Sequence, residues 1–378
     1  MYKRHALYKR LLSLLFLTII IASSCSKDPK TYEISGQLDN VKGPFIFISY
    51  EMNDSIVVDT ILVNSSGKFS FTDNVIDTLT EVSLYFNQNT RSTFILIDKG
   101  WNVELKGDVL YPDLISVKGG DVNNDLTSFK NKNKDLLKKR ADILGSIETE
   151  KAKTDTVQSK EDYIANLKNT NFELSNIATA YVKENPDKIA SVMLINTFFK
   201  DESSIPRLDE NLALLKGKAA MFPLTEELKQ FSSKVRRAAV GSVAPGFSMK
   251  NIKGDMVHLS DTRGKYTLLT FAATTCDVCR MEKADAVKIY NQLKKEEYDI
   301  EFVTIVKDVE QIPISENITD SVKWNILPVH GGWAAQTFDT YYIREIPYNI
   351  LISPAGIILE RDFPIFALPD KIKIHAKK

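Results

Sequence analysis

Cys276-Asp277-Val278-Cys279 is where residue type and spacing in this chain combine into a reactive centre. The two cysteines follow an apolar run of strand character (Tyr266, Leu268, Leu269, Phe271) and a break of small polar residues, and they open a segment of helical spacing. The first turn of a helix leaves N–H groups unpaired and carries partial positive charge, which stabilises a thiolate. A cysteine placed there has a lowered pKa and is a competent nucleophile. The second cysteine, three residues on, shares its helix face and can close a disulfide with it. This is the arrangement that a dithiol–disulfide exchanger needs. Two charges flank it with opposite effect, Asp277 working against the thiolate and Arg280 for it.

The elements that position this pair belong to a long chain. At 378 residues two or three domains are expected, with the 43% hydrophobic and 26% charged composition of a globular protein. Net charge is +0, so no nucleic-acid partner is implied. The third cysteine, Cys25, closes a different kind of segment. Lys3, Arg4, Lys9 and Arg10 precede the apolar run Leu11–Ala22, which is too short to span a bilayer comfortably and ends in Ala22-Ser23-Ser24-Cys25. This resembles the lipobox of bacterial lipoproteins. The resemblance implies a signal peptide over 1–24, a lipid on Cys25 that holds the chain to a membrane of the cell envelope, and a polar tether over 25–30. The mature chain then has only Cys276 and Cys279 as thiols, and the pair is its own redox unit.

Residues 31–120 read as a β-rich domain, an all-β sandwich or barrel. Alternating runs (Phe45–Tyr50, Ile56–Val63, Lys68–Phe71, Val82–Phe86, Thr93–Ile97, Asn102–Leu105, Leu114–Val117) are separated by hairpin chemistry at Asn64-Ser65-Ser66-Gly67 and Asp98-Lys99-Gly100. Its aromatics Phe45, Phe47, Tyr85, Phe86 and Phe94 are expected in the core. Residues 121–237 read as a helical segment. One helix carries Leu126 to Ile147 at three- and four-residue steps, a second runs over Lys160–Lys183 to a stop at Asn185-Pro186, a third covers Lys188–Phe199 and a fourth Leu208–Ala220, ending before Pro223. The lysines of 130–140 are a solvated helix face.

Residues 238–378 read as an α/β domain with a mixed sheet. A hairpin (Phe247–Met249, Met256–Leu259) leads to a strand, the CxxC helix to about Lys295 and a buried strand Ile300–Val306. Some forty irregular to helical residues follow, and then a terminal hairpin, Tyr348–Ile352 and Ile357–Arg361. This last third resembles the thioredoxin superfamily, within it the TlpA-like and ResA-like membrane-anchored thiol–disulfide oxidoreductases. The residues carrying the resemblance are Ala244-Pro245-Gly246-Phe247, Gly254 with Leu259-Ser260, Gly264-Lys265, the CxxC and Ile346-Pro347. The whole plan is similar to Bacteroidota lipoproteins in which a β-rich domain of unknown function precedes such a domain.

The resemblance implies Cys276 as attacking thiolate, Cys279 as resolving thiol, and Pro347 as a cis-proline facing the disulfide. It also implies that the Ile346 backbone and the surface at Thr275 meet an extended substrate. Three positions depart from the pattern. Thr270 stands six residues before Cys276, where thioredoxins bury an Asp and TlpA-like proteins often have Asn, so a proton route through a strand carboxylate is absent. Thr275 replaces a usual tryptophan, and Ala284 a usual helix-kinking proline. Glu282, one turn beyond Cys279, matches a glutamate common in TlpA-like proteins and is the candidate acid–base instead.

The expected function is therefore membrane-anchored, extracytoplasmic disulfide exchange, with net reduction of client proteins and an upstream redox donor. The chemistry needs no cofactor beyond the two sulfurs. Other readings weigh less on the residues. Zinc wants four ligands, and His258, His330 and His375 sit at no motif spacing with the pair. Two soft ligands suffice for Cu(I), so a copper-handling module stays as a variant. A peroxiredoxin would have Pro and Thr seven and three residues before its cysteine, where this chain has Leu269 and Ala273. A binding or scaffold lipoprotein with a secondary CxxC draws on the long stretch ahead of the redox segment.

Overall fold

A computed structural model of the chain describes residues 31–52, 55–74, 79–87, 91–151, 157–307, 322–330 and 335–376. The segment 1–30, with the expected signal peptide, tether and Cys25, lies outside the described residues. The chain divides into two compact units, residues 1–194 and 195–378.

The first unit is built on two four-stranded sheets. One has β4 (Lys68–Asn74), β1 (Thr31–Asp39), β7 (Asn102–Asp108) and β8 (Ser116–Lys118) in that order; the other has β3 (Ser55–Leu62), β2 (Phe45–Met52), β5 (Thr80–Phe86) and β6 (Arg91–Ile97). Alternation along each strand sends one set of side chains into a shared core, including Tyr32 and Ile34 from β1, Ile46 and Ile48 from β2, and Val103 and Leu105 from β7. That register corrects the expectation for the aromatics. Of the five, only Phe86 is in the core; Phe45, Phe47, Tyr85 and Phe94 take the opposite phase and line the outer face, because Ile46, Ile48, Leu84 and Ile95 hold the inner positions. The turn 64–67 is tied by the Asn64 side chain, which accepts from the N–H of Ser66 and Lys68. Gly67 closes that turn at φ +75, where a Cβ would lie 2.0 Å from the Leu38 carbonyl oxygen.

The helix expected from Leu126 to Ile147 is interrupted at Asn133, giving α1 (Asp121–Lys132) and α2 (Lys134–Lys151), followed by α3 (Val157–Glu184) and α4 (Ile189–Phe199). Two buried side chains stitch α1 to the sheets. Asn123 exchanges hydrogen bonds with the backbone of Leu96 in β6, and Thr127 does the same with Val117 in β8.

After the last residues of α4, the second unit continues with α5 (Ile205–Leu214), α6 (Gly217–Ala220) and α7 (Pro223–Arg237). The last of these was not expected, because Pro223 read as a stop; it occupies the first turn, where its missing N–H costs nothing. The hairpin β9 (Ser248–Lys250) with β10 (Met256–His258) precedes a five-stranded sheet ordered β13 (Asn325–Val329), β12 (Ile300–Lys307), β11 (Tyr266–Ala273), β14 (Tyr348–Ile352), β15 (Ile358–Arg361). β11, β12 and β13 run parallel, whereas β14 and β15 pair antiparallel, which makes the sheet mixed as expected. β13 corrects the reading of 307–345 as irregular to helical. It carries Pro328 and is an edge strand, the position in a sheet that tolerates proline.

Each face of this sheet has its own core. Leu269, Phe271, Val303, Ile305 and Ile350 pack on one side with Phe338 of α9 (Gln336–Thr340) and with Tyr341. Leu268, Phe302 and Leu351 pack on the other with Ile289 and Leu293 of α8 (Asp277–Lys295) and with Leu368 and Ile372 of α10 (Leu368–Ala376). The architecture is thus a β-rich domain, a helical middle and a C-terminal thioredoxin-like α/β domain. Among the described residues no helix is long and apolar enough to cross a membrane.

Candidate active site

β11 ends at Ala273, a turn closes with the Cys276 N–H on the Ala273 carbonyl, and α8 starts at once. Cys276 is the N-cap residue of α8, with extended backbone. Its sulfur accepts the N–H of Cys279 at 3.1 Å, so it takes up one of the donors that the first turn leaves open. Cys276 and Cys279 are joined in a disulfide with their Cα atoms 5.2 Å apart, and both are half-buried. The flanking charges settle on each other. Arg280 pairs with Asp277 on the exposed side, and the Cys276 sulfur sits at the N-terminus of α8, where the helix carries partial positive charge.

Glu282 lies one turn further along α8 and is half-buried. Burial pushes its carboxyl up, and hydrogen bonds from the Asn349 side chain and the Ile365 backbone oppose part of that rise. It shares with Cys279 a cavity of about 70 Å³, whose wall also includes Thr270, Trp324, Pro347 and Asn349. The Ile346–Pro347 peptide is cis. Pro347 and Cys279 both line that cavity, while the half-buried Ile346 packs against the core of the opposite sheet face. Thr275 is exposed beside Cys276 and presents a small polar surface where an aromatic residue was absent from the sequence. Val278 and Met281 are exposed on α8 beside the pair, and Phe366 is exposed on the turn before α10, the last two each 73% exposed. Phe366 follows Ile365, the residue that bonds Glu282.

The structure thus brings Cys279, Glu282 and Pro347 to one cavity; Cys276 is joined to Cys279 by the disulfide, and Thr275 is exposed next to it. Asn349 was not singled out in the sequence. Its signal was present, since it is the one polar side chain except for a tyrosine in the buried strand Tyr-Asn-Ile-Leu-Ile. Two of the histidines have bonds of their own: His258 Nδ1 is 2.6 Å from Ser248 Oγ, and His375 pairs with Glu360 at 3.0 Å. Among the described residues no group of three or more His, Cys, Asp or Glu is placed to hold a metal ion.

Residues 240–361 match the model of the AhpC/TSA family, and residues 32–126 match a domain of unknown function, DUF4369. The thiol–disulfide oxidoreductase ResA of Oceanobacillus iheyensis is 29% identical over 40% of this chain and 77% of its own length. Among solved structures, a thiol–disulfide oxidoreductase from Bacteroides fragilis is 31% identical, with 35% of this chain and 99% of that chain covered and a TM-score of 0.32. The thioredoxin domain of a thiol–disulfide oxidoreductase from Bacteroides vulgatus is 27% identical over 36% of this chain and 97% of that one, with a TM-score of 0.33. Residues 240–361 are thus an AhpC/TSA, thioredoxin-like domain with ResA thiol–disulfide oxidoreductases among its homologues, and a DUF4369 domain stands ahead of it.

Proposed function

We propose that this protein is a lipid-anchored, extracytoplasmic thiol–disulfide oxidoreductase that reduces client proteins through Cys276 and Cys279. The observation that carries the reading is the Cys276–Cys279 disulfide at the start of α8, with Pro347 on the cavity shared with Cys279. In the reduced protein the Cys276 thiolate attacks one sulfur of a client disulfide. A mixed disulfide forms and one client sulfur leaves as a thiolate. Cys279 loses its proton, its thiolate attacks Cys276 Sγ, the Cys276–client bond breaks, and the second client thiolate leaves. The client has gained two electrons, its sulfurs take up the two protons that the cysteines gave, and the protein holds the disulfide. A dithiol donor must reduce that disulfide again before the next turnover.

Envelope location and the lipid on Cys25 rest on the basic n-region, the apolar run Leu11–Ala22 and the small residues before Cys25. The direction of exchange rests on the resemblance. Thiol trapping of the protein, titrated against glutathione or dithiothreitol buffers, tests the mechanism. A single two-electron transition near thioredoxin's value of about −270 mV marks a reductant, and one nearer about −120 mV an oxidant. Failure to form an intramolecular disulfide at any potential overturns the exchange mechanism. Replacing Cys279→Ser is expected to trap the Cys276–client mixed disulfide, whereas Cys276→Ser traps none. Metabolic labelling with a fatty acid, lost in Cys25→Ala, tests the anchor.

A further inference from the structure

Thr270 and Asn349 face each other in the register of β11 and β14. The Thr270 hydroxyl donates to Asn349 Oδ1 at 2.7 Å. The Asn349 amide nitrogen donates to the Phe363 carbonyl at 3.0 Å, and Glu282 Oε2 lies 3.5 Å from the same nitrogen. Asn349 is 2% exposed, so water does not compete for these groups. The network also fixes which end of the carboxamide is which. A flipped amide would set its oxygen against the Phe363 carbonyl and the Glu282 carboxylate, three acceptors with no proton among them. Thr270 locks the oxygen, Phe363 takes one N–H, and the remaining N–H is left for Glu282.

This arrangement accounts for the departure at position 270. The polar side chain that the redox helix needs beneath it comes from the neighbouring strand, and it is neutral. A carboxylate at 270 would share the cavity with Glu282, and two like charges at that range drive one proton affinity sharply up. The groups facing Glu282 make the point specific. On α8 itself these are Cys279, Arg280 (paired with Asp277), Lys283 and Asp285. From β11, β12, β14 and the turn before α10 the described residues of the wall, Thr270, Thr304, Asn349 and Ile365, bring no charge. Glu282 is the carboxylate of that wall, and Asn349 is the side chain that donates to it.

We infer that Asn349, locked by Thr270, is a positioning residue that holds the Glu282 carboxylate beside Cys279 and sets the pH at which Glu282 accepts the Cys279 proton. The inference rests on the oxidoreductase reading. In the step concerned the Cys279 thiol passes its proton to the Glu282 carboxylate, and the thiolate attacks Cys276 Sγ. The departing client sulfur leaves with the electron pair of the broken bond, and Glu282 returns the proton to that sulfur or to water.

The test uses the full chain with Cys276 preloaded as a mixed disulfide with thionitrobenzoate, and follows release of that coloured thiol in a single turnover across pH. Wild type is expected to release it with a rate that rises with pH through an acid-side midpoint. Asn349→Leu removes the donor from the charged carboxylate and is expected to move that midpoint up by roughly half a pH unit or more. Thr270→Val, which keeps Asn349 but unlocks it, moves it the same way by less and serves where Asn349→Leu does not fold. In a Glu282→Gln background neither change is expected to move the profile. A uniform loss of rate at every pH, or the same shift with Glu282→Gln, overturns the inference. Release from no variant, wild type included, overturns the oxidoreductase reading itself.

Discussion

Lys234 and Asp339 form an ion pair at 3.0 Å that fastens α7 to α9. Phe231 adds an edge-to-face contact with Tyr342 at 5.6 Å, and Arg361 donates to the carbonyls of Ala238 and Tyr341. The redox domain is thus completed by a helix that precedes the segment matched to its family. The ion pair is partly exposed and adds little alone; the aromatic contact and the covered face of α7 contribute more.

A fragment starting at residue 238 therefore lacks part of its own support. It is expected to melt several degrees below a fragment starting at residue 200, although both keep the CxxC and the five-stranded sheet. Equal melting temperatures would show that α7 contributes nothing to the fold that carries the cysteines.

Glu282 links stability to pH. Its carboxyl is raised by burial, so the folded state binds the proton more tightly than the unfolded chain does. Stability from this group is present at low pH and falls as pH climbs from the ordinary carboxylate range through the raised value. Glu282→Gln mimics the protonated form at every pH. Its melting temperature is expected to gain on wild type as pH rises above about pH 4, and the gain levels off once pH has passed the raised value. Parallel curves for the two proteins would mean that Glu282 is not held in a desolvated place.

The apolar rim leads to a prediction about clients. Val278 and Met281 are exposed on the first turns of α8 beside sulfurs that a client must approach to bonding distance, and Phe366 is exposed next to Ile365, which lines the same cavity as Cys279. Covering Met281 and Phe366 contributes about 1–2 kcal/mol, so Met281→Ser with Phe366→Ser is expected to raise KM for a protein disulfide roughly fivefold to thirtyfold. The rate with glutathione disulfide, too small to reach the rim, should be unchanged. Equal losses on both substrates would place the effect in the helix rather than in docking.

Much of this was legible in the residues because it is local. The CxxC at a strand-to-helix junction, the alternating strands of the first unit and the terminal hairpin are patterns within a few residues, and the structure has each of them. What was missed depends on context. Pro328 hid β13, since only the position at the sheet edge makes a proline acceptable there. Pro223 read as a stop although it starts α7. The outer aromatics followed from a one-residue phase choice, in which isoleucine and leucine won the inner positions. The Thr270–Asn349 pair spans 79 residues, and no single-sequence pattern reports a partner at that distance.

The same reasoning makes Asn123 the most sensitive polar residue tying α1 to the β-rich unit. Its side chain takes the place of a neighbouring strand, accepting the Leu96 N–H at 2.9 Å and donating to the Leu96 carbonyl at 2.7 Å, and it donates to the Gly119 carbonyl as well. At 1% exposure it leaves no room for water to substitute. Asn123→Ala strands the Leu96 groups in a dry place, each at roughly 1–3 kcal/mol, for a total on the order of 3 kcal/mol. In a unit of this size that is a fall of roughly 6–12 °C in the thermal transition of the first unit, followed by circular dichroism. Thr127→Val, which keeps its volume and loses the parallel pair of bonds to Val117, is expected to follow with a smaller drop. A shift below about 2 °C for Asn123→Ala would mean that the helix moves to let water in, and that α1 is held by its apolar residues Val122, Leu126 and Phe129 instead.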